Sequence, residues 1–467
     1  MPRTAIRARL LDFVGDPAHS ASAMRLVDDG LLLVEDGRIV ARGEYGPLAR
    51  ALGADEQVVD FSGCLLLPGF IDTHVHFAQL DVIGSPADGV LDWLARHTYP
   101  AEARYADVDV CRETARFFLD ELARNGTTSA CVLGTVHAQS VEALFAEAQA
   151  RGMRMVAGKC LMDRNCPPQL ADQGDRGIQQ SEALADRWHG KGRLAYAITP
   201  RFAGSCSERQ LKLAGELASA RPDLYVQSHL AESEDEVRWI GELYPRARSY
   251  LDVYDAVGLV HERSIYAHCI WLDEADRQRF AGARAIAAAC PSSNLFLGSG
   301  AFDFRLAEQA GMTITLASDV GGGQSLSMLA TMRAAHEVAR MRGYAVSGAQ
   351  LFHWATRGAA AALGWAGKVG TLEPGAEADF VVLDPAATPL LARRTAAAGS
   401  IEAMLFALAI LGDDRAVRET FIAGRPSKRG RGDSPAGAVG EDARARELAR
   451  RFSGRLHTGA GRGTTSR

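Results

Sequence analysis

The chain has 467 residues, of which 52 are basic and 57 acidic, for a formal charge of -5. Its length exceeds one ordinary core and suits a barrel of about 250 residues or more with a smaller companion unit. So balanced a charge sets up no field favouring nucleic acid or an anionic membrane surface, which leaves a small-molecule substrate as the better expectation. At the start of the chain, Arg3, Arg7, Arg9, Asp12 and Asp16 interrupt the first thirty residues, and no apolar run reaches the roughly eighteen residues of a membrane span. The eight cysteines include no CxxC pair and read as reduced thiols, so the expected compartment is the cytoplasm.

Segments 31–35, 38–43 and 57–66 have the pattern of short strands, with Asp36 and Gly37 turning between the first two. Eight apolar runs follow at 65–75, 126–133, 154–163, 193–202, 224–230, 264–272, 285–294 and 312–320. Stretches with helical spacing, such as 108–125 and 141–151, separate them. This alternation predicts an α/β chain with a parallel sheet, and eight repeats predict closure into a TIM-like (β/α)8 barrel. Segments 370–383 and 417–424 are strand-like again, so the two ends are expected to pair into one small discontinuous β-sandwich domain. The expected boundaries are 1–66 with 368–424 for that domain, 67–367 for the barrel, and 425–467 for a disordered tail rich in Gly, Arg, Ser and Ala.

The first barrel strand ends in His74-Val75-His76. Alternate residues of a strand share a side, so both imidazoles project together into the barrel mouth, where barrel active sites are built. Equivalent strand ends carry His229, His268 and Asp319. A short HxH is weak evidence alone, but four strand ends offering N and O ligands together point to a catalytic metal. Zinc suits that set, and iron or manganese would tolerate it. Glu232 follows His229 by three residues, on the loop past the strand, where it can reach a substrate without binding metal. Its acidic neighbours Glu234, Asp235 and Glu236 read as a solvated helix start.

Several segments now identify a resemblance: PGFIDTHVH at 68–76, LDWL at 91–94, SHLAE at 228–232, AHC at 267–269, CPSSN at 290–294 and Ser318-Asp319. Together they resemble the amidohydrolase superfamily. Narrower features are similar to its guanine deaminase family: Phe77-Ala78-Gln79, Met162 to Asn165, Pro200-Arg201-Phe202, NLFLGSG at 294–300 and DVGGG at 319–323. The likeness runs through most of residues 25–424.

By that resemblance one zinc per chain is expected on His74, His76, His229 and Asp319. Glu232 is expected as the proton donor, Asp319 as ligand and base together, and His268 as the group that positions the attacking oxygen. Gln79 and Arg201 are expected to hold guanine, with His76, Phe202 and Phe77 also against it. The expected reaction is hydrolytic deamination of guanine to xanthine and ammonia, in a homodimer. Ala78 replaces a proline common among relatives, and Ala289 replaces a histidine or aromatic residue, which bears on pocket lining.

Three other readings stay open on the residues. One is a zinc aminohydrolase for another aminated ring, such as 8-oxoguanine, a pterin or a triazine. A two-metal cyclic-amide hydrolase is disfavoured, because the fourth run ends in TPRF at 199–202 without a lysine. The third is a barrel that binds without catalysing.

Overall fold

The computed structural model describes residues 3–53 and 56–428. Eight parallel strands form the barrel in chain order: Phe70–His76, Thr127–Leu133, Arg154–Gly158, Leu194–Pro200, Tyr225–Leu230, Ser264–His268, Ile286–Ala289 and Thr313–Leu316. First and last strands meet through side chains and flanking backbone. The Thr73 hydroxyl lies 2.8 Å from that of Thr315 and donates to the Leu316 carbonyl at 3.0 Å. Beyond the strand ends, the Asp319 N–H reaches the His74 carbonyl at 3.0 Å and the His76 N–H reaches the Val320 carbonyl at 2.7 Å. Closure of the barrel therefore sets Asp319 beside the HxH pair.

The expected helices form as Val108–Arg124 and Ala138–Arg151. Asp107 caps the first by accepting from the Asp109 N–H, and Cys111, Ala115, Phe118, Leu119 and Leu122 make its buried stripe. Small and branched residues fill the barrel interior, among them Ile71, Cys131, Val156, Ala197, Ile265 and Ala288, and Leu363 and Trp365 pack against them.

Both ends of the described chain build one mixed seven-stranded sheet. Its order is Arg425–Pro426, Val417–Ile422, Phe380–Leu383, Val58–Pro68, Thr4–Phe13, Met24–Glu35, Arg38–Glu44. Asp12 ties its parts together, accepting from Arg25 at 2.6 Å, Arg42 at 2.5 Å, Thr371 at 3.1 Å and the Leu372 N–H at 3.0 Å.

Some element boundaries differ from expectation for visible reasons. Thr4–Phe13 is a full strand although its charges suggest otherwise. Arg7 and Arg9 bond Asp29 at 2.8 Å and Asp28 at 2.7 Å on the next strand, while Ile6, Ala8 and Leu10 are buried. The single run 65–75 is two elements: Leu65–Leu67 and Pro68 pair with Phe380–Leu383, and Phe70 begins the barrel. Gly69 makes the break, since a Cβ there would collide with the Thr128 side chain. Within 285–294 the strand stops at Ala289, and Pro291–Phe296 is a helix with proline in its first turn. The tail expected from Arg425 begins inside the sheet, because Arg425–Pro426 pairs with Phe421 and Ile422, and its remainder at 429–467 lies outside the described residues. Among the described residues no helix is long and apolar enough to cross a membrane.

Candidate active site

At the carboxyl end of the barrel the strand ends converge on one point. The ring Nε2 atoms of His76 and His74 lie 3.2 Å apart, as do those of His76 and His229. Asp319 Oδ1 stands 3.2 Å from His74 Nε2 and 3.4 Å from His76 Nε2. One ligand atom from each of these four residues falls within 4.8 Å of the others.

Burial lowers the pKa of all three rings, to about 4 for His76, so their nitrogens are neutral lone-pair donors. Burial works against the Asp319 charge, yet the His74, His76 and His268 rings around it hold its carboxyl well below the usual range. The backbone carbonyl of Arg201, 2.6 Å from His229 Nδ1, accepts a hydrogen bond from the ring N–H there, which leaves Nε2 as the bare nitrogen. His268 Nε2 is buried without a hydrogen-bond partner and aims 3.8 Å from Asp319 Oδ2. Crowded lone pairs, a fixed tautomer and an orphaned ring nitrogen fit a divalent cation of the borderline class.

A second grouping, His268 with Cys290 and Asp319, is also close enough to hold an ion. Burial keeps the Cys290 thiol protonated, however, and only a thiolate is a good ligand.

The chain turns sharply where it delivers these groups. Ala231, His268, Cys269 and Asp319 have φ of 51°, 72°, 51° and 47°, a left-handed region costly for residues with a Cβ. The turn at Ala231 brings Glu232 to 3.4 Å from His268 Nε2, 5% exposed. Burial and the Asp319 charge push the Glu232 carboxyl up to about 8, against the Ser299 hydroxyl, which donates to its Oε1 at 3.0 Å. Asn294 Oδ1, 2.8 Å from His268 Nδ1, fixes that ring in turn.

The cluster floors a cavity of about 460 Å³, counting the open space at its mouth. Gln79, Arg201, Phe202, Glu236 and the apolar Leu91, Trp93 and Leu297 line it with the cluster. Gln79 accepts from the Gly321 N–H at 3.2 Å and donates to Glu102 at 2.9 Å, and Arg201 donates to the other Glu102 oxygen at 2.7 Å. A side chain at Gly321 would fall 2.5 Å from the Gln79 carbonyl oxygen, so only glycine permits this approach.

Of the residues singled out from sequence, His74, His76, Gln79, Arg201, Phe202, His229, Glu232, His268 and Asp319 come together here. Phe77 does not: its ring packs 5.4 Å from Tyr105 and 6.0 Å from Phe118, fully buried behind the site. Sequence reasoning missed four partners. Glu236, read as solvated, is buried on the cavity wall, where burial and Glu232 push it to about 7 and Tyr250 donates to it at 2.8 Å. Glu102, Ser299 and Asn294 were assigned no role, and only the last two stood inside a quoted motif.

A family model described as "Amidohydrolase family" matches residues 65–426. Guanine deaminase of Escherichia coli is 42% identical over 424 residues, spanning 90% of this chain and 97% of that protein. Its solved structure superposes with a TM-score of 0.88 at 41% identity, covering 91% of this chain and 99% of that one. A guanine deaminase from C. acetobutylicum, with guanine bound in its active site, gives a TM-score of 0.82 at 26% identity, covering 91% of this chain and all of that one. With its barrel, its convergent histidines and these relatives all in agreement, the chain belongs to the amidohydrolase family and stands among its guanine deaminases.

Proposed function

We propose that this chain hydrolyses guanine to xanthine and ammonia, using one zinc held by His74, His76, His229 and Asp319. What carries the reading is the placement of two unlike sets in one cavity: lone-pair donors around Asp319 at its floor, and the Gln79 and Arg201 polar pair beside them. A divalent ion in the cluster supplies acidity, lowering the pKa of water from about 15.7 to about 7.

The residues do the rest. Arg201 donates to the O6 carbonyl and Gln79 reads the adjoining ring edge, with Phe202 against a ring face. That pose turns C2 towards Asp319 and N3 towards Glu232. Asp319, ionised, takes a proton from water as its oxygen adds to C2, and Glu232, protonated near neutral pH, gives its proton to N3. C2 becomes tetrahedral, and His268, its ring fixed by Asn294, positions the new C–O oxygen. The proton held by Asp319 passes to the exocyclic amine, the C2–N bond breaks and ammonia leaves, the C2–OH proton returns to Glu232 as the carbonyl forms, and N3 keeps the proton it was given. Guanine and water are thereby balanced by xanthine and ammonia. A homodimer in the cytoplasm is the matching assembly and compartment.

The test is the ultraviolet spectrum of guanine with zinc-loaded and chelator-treated protein, with ammonia assayed in both. Xanthine and ammonia formed only with metal support the reading. Untouched guanine beside about one zinc per chain would leave the metal cluster standing and sink the substrate.

A further inference from the structure

Glu102 is 1% exposed and both of its carboxylate oxygens are taken, Oε1 by Gln79 Nε2 at 2.9 Å and Oε2 by Arg201 Nη1 at 2.7 Å. It does not line the cavity, so it touches no substrate. It belongs to the short helix Tyr99–Ala103, in the segment that leads from the first barrel strand to the helix Val108–Arg124. We propose that Glu102 is a positioning residue that sets which purines the cavity accepts, by fixing the Gln79 amide in one orientation and cancelling the charge of Arg201. The proposal rests on the guanine reading above and deepens it.

The first effect follows from donor and acceptor chemistry. An ionised carboxylate only accepts, so it must face the NH₂ end of Gln79, and the Gly321 N–H only donates, so it must face the oxygen. With both ends claimed the amide cannot flip, and it offers a ligand one N–H and one lone pair side by side. The second effect is electrostatic. Arg201 is 2% exposed, and a lone guanidinium so buried would select an anion. Paired with Glu102 it is a neutral couple that polarises a carbonyl without requiring the ring to ionise. Xanthine, with an N–H flanked by two carbonyls, is a stronger acid than guanine. Glu102 therefore keeps the site from gripping an ionised product.

Other groups in electrostatic reach do not replace this charge. Tyr99, Cys160 and Cys166 are pushed up by burial, to about 12, 12 and 11, and stay neutral, while Glu232, pushed up to about 8, is present in wild type and variant alike and so does not distinguish their pH courses. Burial likewise lowers His137, and Lys159 is bound to Asp172 at 2.6 Å.

The experiment compares wild type with Glu102→Gln, both zinc-loaded, in guanine kinetics and in xanthine inhibition below and above the first ionisation of xanthine. Glutamine there sets its NH₂ against that of Gln79, or its oxygen apart from Arg201, so one claim on the pair is lost whichever way it turns. KM for guanine is expected to rise about 10- to 100-fold, the worth of one charge-assisted hydrogen bond, with kcat changed far less. Xanthine inhibition of the variant is expected to tighten as pH rises, more steeply than in wild type. In a Gln79→Ala background the same change should raise KM much less, because its effect runs through Gln79. Unchanged KM, full additivity with Gln79→Ala, or the same pH course of xanthine inhibition in both proteins would overturn the proposal. Should Glu102→Gln not fold, Glu102→Asp decides: it keeps the charge and so the wild-type pH course of xanthine inhibition, while its shorter reach raises KM. Calorimetric binding of guanine and xanthine to both proteins keeps the two readings separate. If wild type binds but does not deaminate guanine, the activity fails while the affinities still decide the role of Glu102.

Discussion

Replacing Glu232 by glutamine tests the proton donor directly. The amide has the carboxyl's shape and its oxygen can still accept the Ser299 hydroxyl at 3.0 Å, so neither packing nor the histidine cluster is disturbed. What goes is a transferable proton. With the carboxyl at about 8, some ten molecules hold that proton for each that has lost it at pH 7. General acid catalysis contributes about 10² to 10⁴ in rate, so kcat should fall by that factor, a barrier increase of about 3 to 5 kcal/mol. Zinc content, measured by atomic emission, should stay at wild-type level, and guanine loss and ammonia release should fall together. Wild-type kcat/KM should decline as pH rises through the Glu232 pKa. The bound cation draws that value down, so the limb lies at or below about 8. A variant with zinc retained and kcat within about tenfold of wild type, less than the smallest loss expected of an acid catalyst, would refute the assignment.

Other perturbations separate the remaining roles. His229→Ala should lose both zinc and activity, and a variant that keeps stoichiometric zinc would remove His229 from the ligand set. Ser299→Ala removes a donor that favours the ionised Glu232, so the carboxyl should hold its proton to higher pH and the basic limb of the rate profile should move up; a downward shift would contradict the contact. Asp12→Asn strips the charge that Arg25 and Arg42 share and should cost about 3 kcal/mol in urea unfolding at neutral pH. Burial opposes the Asp12 charge, but Arg25, Leu372 and Arg42 hold its folded pKa below 3.8. Its contribution is thus present above the unfolded pKa and lost as pH falls through the folded one, so the deficit of the variant should shrink in acid. Phe202→Leu should raise KM for guanine, whereas Phe77→Leu should leave KM alone and lower the melting temperature; a KM effect at Phe77 would place its ring against the substrate after all.

The metal cluster was legible because a strand repeats every two residues. His74 and His76 must share a side, and barrel closure brings every strand end to one mouth, so spacing alone placed His229, His268 and Asp319 nearby. The same rule, carried one residue further, explains Phe77. It follows His76, so it belongs to the opposite side, and its ring faces Tyr105 and the helix Val108–Arg124 instead of the cavity. The resemblance drew it into the substrate set where alternation places it outside. Glu236 was hidden by composition: among Glu234 and Asp235 it looks solvated, and only the packing of the helix Glu234–Leu243 under the loop singles it out as buried. Glu102 was hidden by distance. It lies 23 residues after Gln79 and 99 before Arg201, in short helical turns with no period to read. A buried carboxylate there has no local signature, since its reason to exist is the guanidinium and the amide that the closed barrel brings to it. Residues that touch the reaction were readable from strand geometry, and residues that hold those in place became readable only once the chain had closed.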